Sequence, residues 1–106
     1  MSSNDEGKLF SIRAAGNTVV PCLQAIIAKG YGVRTYFLGD RDNPQWEARL
    51  EGRSFSATSL TELLGLIAMW EMRGDDWHIK TDELPPYDHL VHNAPMYDSD
   101  GNIIDT

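Results

Sequence analysis

The stretch Trp46-Glu-Ala-Arg-Leu-Glu-Gly-Arg-Ser-Phe-Ser-Ala-Thr-Ser-Leu-Thr-Glu62 decides the fold. Trp46, Ala48 and Leu50 alternate with Glu47, Arg49 and Glu51, the period of an antiparallel strand with one face buried and the other wet. Glu51-Gly52 supplies a tight turn, and Arg53-Ser-Phe-Ser-Ala57 returns with Phe55 and Ala57 facing inward. Ser59-Leu-Thr-Glu62 has the spacing of a capping box, in which Ser and Glu satisfy the open end of a helix. The hairpin therefore runs straight into a helix whose buried face carries Leu60, Leu63, Leu64, Ile67 and Trp70. Leu66, Met69 and Met72 widen that face beyond one stripe. Arg73-Gly74 ends it, with a cation on the negative pole and a glycine just past the last turn.

Toward the N-terminus, Gly39-Asp-Arg-Asp-Asn-Pro44 is dense in turn formers and separates this hairpin from a strand over residues 32–38, rich in β-branched and aromatic residues. Before it, a helix is predicted from about Thr18 to Lys29, with Asn17 as N-cap and Pro21 in the first turn. Val19, Leu23, Ile26 and Ile27 form its apolar stripe, Gly30 stops it, and Tyr31 folds back on its last turn. Helix, three antiparallel strands and helix predict an α+β fold, two helices packed on a meander. Residues 1–16 read as a flexible polar arm, 17–74 as the α-β-β-β-α core, and 75–106 as an acidic extension packed on that core.

The last third differs in kind. It contains Pro85, Pro86, Pro95 and all three histidines, with little periodicity. Yet Trp77, Ile79, Leu84, Tyr87, Leu90, Val91, Met96, Tyr97, Ile103 and Ile104 are too many apolar residues for a solvated tail. The expectation is an extended wrap over the second helix, with Pro85-Pro86-Tyr87 as a turn that packs its tyrosine. A short hairpin, Met96 to Ile104 with Gly101 in the turn, closes it.

At 106 residues the chain has the length of one domain, and 42% hydrophobic with 24% charged residues is a globular composition. No apolar run approaches the ~20 residues of a membrane span, and the first residues lack the basic start and apolar core of a signal peptide. A single cysteine, Cys22, forms no internal disulfide, so a cytoplasmic location is expected. The net charge of -7 argues against direct contact with nucleic-acid phosphates or anionic membranes. That charge is uneven: past Met72 stand Asp75, Asp76, Asp82, Glu83, Asp88, Asp98, Asp100 and Asp105, against Arg73 and Lys80 alone.

The element order is shared with double-stranded RNA-binding domains, which hold phosphates with a basic cluster at the start of the second helix. Here that position reads Ser59-Leu-Thr-Glu-Leu63, without a base, so the shared order carries no function. Asp98-Ser-Asp-Gly-Asn102 superficially resembles a calcium loop, but its glycine falls at the fourth position and no twelfth-position glutamate follows. Cys22 has no nameable base and orienter and reads as a small core residue. No phosphate loop, nucleophile elbow or catalytic carboxylate pair is present, so neither an enzyme nor a cofactor is expected.

What remains is a small acidic protein-binding module that docks a basic partner protein, in the style of an immunity protein, an antitoxin or a nucleic-acid-mimicking inhibitor. Its expected contact residues are Asp75, Asp76, Trp77, Asp82, Glu83 and Asp88, carboxylates around an aromatic anchor. The alternative is a small-molecule or metal-binding protein using His78, His89 and His92. A third reading is a subunit that dimerises through the apolar second helix.

Overall fold

A computed structural model describes residues 9–104. Its elements run α1 (Val19–Ala28), β1 (Gly32–Phe37), β2 (Pro44–Leu50), β3 (Arg53–Ala57), α2 (Leu60–Arg73) and α3 (Leu84–His92). The contacts divide the chain into two units, one ending at Gly74 and the other beginning at Asp75.

In the first unit the three strands form an antiparallel sheet in the order β1-β2-β3. Val33 pairs with Ala48 and Ala48 with Phe55, so the inward residues of the three strands lie side by side. Ile26 of α1 and Leu60, Leu63 and Ile67 of α2 are buried with Tyr31 and Ala48, and Leu23, Val33, Trp46, Leu50, Phe55 and Ala57 pack around them. Full burial of an isoleucine or leucine side chain stabilises the fold by roughly 1.5–3 kcal/mol, and Ile26, Leu63 and Ile67 have no accessible surface left. The Phe55 ring bridges Tyr31 in an edge contact at 5.9 Å and Trp70 at 5.8 Å, which ties the sheet to α2 and to the connection that follows α1. Arg53, at the inward end of β3, lays its guanidinium over Trp70 at 4.4 Å and shields the half-buried indole from water.

The β2–β3 hairpin turns where its sequence predicts. Glu51 and Gly52 have φ of 50° and 81°, both positive as the tightest right-twisting hairpin turn requires. At the start of α2 the Ser59 hydroxyl accepts from the Glu62 N–H at 3.1 Å, while the Glu62 carboxylate accepts from Thr58 Oγ1 at 2.9 Å instead of reaching Ser59. Half of the capping box is thus replaced by a hydroxyl one residue earlier. The Gly74 N–H closes the other end on the Trp70 carbonyl at 2.7 Å.

Helix α1 departs from its predicted start. Asn17 lies inside a short 3-10 turn, Gly16–Thr18, and the cap position falls on Thr18, whose hydroxyl donates to the Ala15 carbonyl at 3.0 Å. The helix is also rotated: Val19 and Ile27 are exposed, and the half-buried Cys22 takes their place beside Leu23 and Ile26. Cys22 is accordingly a core-packing residue.

The second unit contains a helix where an extended course is predicted. Pro85 and Pro86 fall in the first turn of α3, where a missing N–H breaks no helical hydrogen bond. Tyr87 lies within this helix and is exposed. The closing hairpin is present: Tyr97 bridges Ile103, and Gly101 turns the chain at φ 89°. Of the arm over residues 1–16, the first eight residues lie outside the described range, and Leu9, Phe10 and Ile12 are exposed.

Candidate functional site

The second unit has no buried residue among those described. Each of its ten large apolar side chains is exposed, from Ile104 at 38% to Leu90 at 72%. On α3, Leu84, Tyr87 and Val91 recur at the i, i+3, i+7 spacing of one helical face, with Leu90 at its margin. His89 and His92 occupy the other side, and Asp88 borders the apolar face next to Leu84.

The six predicted contact residues are distributed along this unit. Asp75, Asp76, Trp77 and Asp82 are exposed and precede α3. The Asp76 carboxylate and carbonyl both accept from Lys80 Nζ, at 2.8 and 2.9 Å. Trp77 stacks on His78 with ring centroids 4.0 Å apart and an 18° tilt, so the aromatic anchor is a two-ring platform. Glu83 is half-buried, and its carboxylate accepts the Lys80 N–H at 2.7 Å, while its own N–H returns to the Lys80 carbonyl at 3.0 Å. Glu83 therefore shapes the turn that delivers the chain into α3. Asp82 and Asp88 are exposed and make no hydrogen bond or ion pair among the described residues.

The three histidines do not act together. His78 is engaged with Trp77, while His89 faces the Asn93 amide at 3.1 Å one turn along α3. Among the described residues no group of three or more His, Cys, Asp or Glu side chains is arranged to hold a metal ion. Asp98 is likewise occupied locally: its Oδ1 accepts the N–H groups of Asn102 at 2.8 Å and Asp100 at 3.0 Å. The backbone donor of Asn102 is the main force holding its carboxyl below the usual range; desolvation opposes it, and the Asp100 donor adds to the lowering. This is a turn built on its own aspartate, the reading that spacing alone already favoured over a calcium loop.

One charged cluster lies outside the candidate site residues expected from the sequence. Helices α1 and α2 pack on the Val33, Ala48 and Phe55 side of the sheet. Strand alternation places Arg34, Tyr36, Gln45, Glu47, Arg49, Ser54 and Ser56 on the opposite side. At its centre Glu47 is only 8% exposed, the one buried charged residue among those described. Arg34 Nε donates to its Oε1 at 2.5 Å, Arg49 Nη2 to its Oε2 at 3.3 Å, and Ser54 Oγ to Oε2 at 3.2 Å. The Arg34 hydrogen bond is the main force holding the Glu47 carboxyl below its usual range, and the same bond raises Arg34 further above its ordinary value. The alternation of β2 put Glu47 on the solvent side. Only the register, which sets Arg34 directly across from Glu47, reveals why it is buried.

No protein-family model matches this chain, and no curated protein or solved structure matches it. Its class is therefore that of its architecture, a three-stranded α+β unit followed by an acidic helix–hairpin unit. No helix among the described residues is long and apolar enough to cross a membrane.

Proposed function

We propose that this protein is a small acidic binding module whose C-terminal unit docks a basic partner protein, as immunity proteins, antitoxins and nucleic-acid-mimicking inhibitors do. The observation that carries the reading is the uncovered apolar surface of residues 77–104, interleaved with carboxylates. Large apolar patches left exposed on a small protein mark interaction sites. The one-faced spacing of Leu84, Tyr87 and Val91 suits insertion of a helix into an apolar groove. The surrounding charge selects a groove rimmed by Lys and Arg, and accelerates encounter with it. Trp77, backed by His78, offers a rigid anchor at one end of the unit. In this reading Asp75, Asp76, Asp82 and Asp88 steer, while Glu83 organises the turn between them.

The test is capture of a partner by the full-length chain, followed by measured affinity for Asp75→Lys/Asp76→Lys and Asp82→Lys/Asp88→Lys variants with unchanged far-UV spectra. Each pair is expected to weaken binding by roughly tenfold or more at low salt, with the effect shrinking as salt rises. Affinity indifferent to both pairs and to salt would eliminate the electrostatic mechanism.

A further inference from the structure

The sheet face opposite the helices carries more cationic donor capacity than its own carboxylate uses. Glu47 engages Nε of Arg34, and Nε and Nη2 of Arg49. The two terminal amines of Arg34 and Nη1 of Arg49 make no hydrogen bond among the described residues. Among the paired strand residues of this face, two guanidinium groups stand against one carboxylate, and the other side chains, Tyr36, Gln45, Ser54 and Ser56, are neutral; Glu51 follows in the turn beyond the pairing. The arginines border a depression of about 270 Å³ lined by Gly32, Val33, Arg34, Glu47 and Arg49. Both side chains keep more than half of their surface accessible, at 61% and 67%.

Their planes are also fixed in advance. Arg34 is held between the Glu47 carboxylate and the Tyr36 ring, 4.7 Å from its centroid. Arg49 is held by the two Glu47 oxygens, each at 3.3 Å. Ser54 completes the carboxylate's shell, and no buried side-chain nitrogen or oxygen among the described residues lacks a partner. A guanidinium fork already oriented loses little rotamer freedom when it accepts a ligand, and its geometry matches the paired oxygens of a phosphate or carboxylate.

We propose that this depression binds an oxyanion, a phosphate or carboxylate group, between the outward donors of Arg34 and Arg49, with Glu47 as the positioning residue beneath them. The site is independent of the docking unit and stands on a different surface chemistry. It is tested on the full-length chain by NMR titration at constant ionic strength, following the arginine Nε–H signals and the amides of Gly32 and Ser54. Sodium phosphate and sodium acetate form separate arms, with sodium chloride as reference. A saturable shift is expected in at least one arm, and the anion that saturates at lower concentration identifies the group. Arg34→Gln and Arg49→Gln should each weaken it by roughly tenfold or more, and Arg41→Gln should leave it unchanged. Arg49→Lys keeps the charge without the fork and should fall between; it also serves if Arg49→Gln does not fold. No saturation with either anion, an equal response to chloride, or undiminished binding in the glutamine variants would overturn the proposal.

Discussion

The two units of this chain are made of similar residues put to opposite use. Residues 17–74 bury Ile26, Tyr31, Leu60, Leu63 and Ile67 between two helices and a sheet, with Leu23, Trp46, Leu50 and Phe55 packed against them. Residues 75–104 carry ten large apolar side chains and bury none. Their charges differ as well: the acids of the first unit are matched by bases, while the second has eight acids and Lys80. A nine-residue helix is below the ~12–15 residues at which isolated helices become marginal in water, and a lone two-stranded hairpin is no better. The comparison teaches that apolar content does not imply a core.

The sharpest way to break this contrast is to remove matched side chains from each unit. Ile67→Ala deletes a fully buried side chain and should destabilise the protein by about 2–5 kcal/mol in urea denaturation. A loss below 1 kcal/mol would mean that the first unit is not held by the core described. Gly65→Ala should act in the opposite direction. An added Cβ at this exposed helical position meets nothing within 4 Å, so the helix gains about 0.5–1 kcal/mol from lost unfolded-state freedom and improved propensity.

A smaller effect, visible in its pH dependence, concerns the open sheet face. The Arg34 hydrogen bond lowers the Glu47 pKa in the folded state. Its stabilising contribution is therefore complete above the unfolded group's ordinary value and lost as pH falls through the lower folded value. Glu47→Gln should lower stability at neutral pH and flatten the loss of stability on acidification; an unchanged acid slope would show that this carboxylate carries no linkage. The smallest effect belongs to the second unit. Leu90→Ser should change stability by no more than about 0.5 kcal/mol, because the side chain is 72% exposed, yet it should weaken partner binding.

Local rules were enough for most of the first unit. The alternation in β2, the Glu51-Gly52 turn and the Ser59 cap each state their structure within a few residues. Asn17 misled because a cap residue is defined by where the helix begins, and a 3-10 turn moved that start to Thr18. Helix α3 was concealed by Pro85 and Pro86, although the rule that admits Pro21 to the first turn of α1 applies equally there. The spacing of Leu84, Tyr87 and Val91 was the available signal. The Glu47 cluster was not legible from periodicity, since it depends on pairing residues thirteen positions apart. Charge points to five of the predicted contact residues, and aromatic character to Trp77. What charge does not reveal is their division of labour, with Glu83 folded into a turn and Trp77 stacked on a neighbouring imidazole.

The most direct test of the central claim is amide hydrogen exchange on the full-length chain, alone and bound to a captured partner. The account predicts rapid exchange over residues 84–92 in the free protein and strong slowing there on binding, with residues 60–73 slow in both states. Slowing confined to residues 32–57, with 84–92 unchanged, would contradict it and move the docking surface to the sheet.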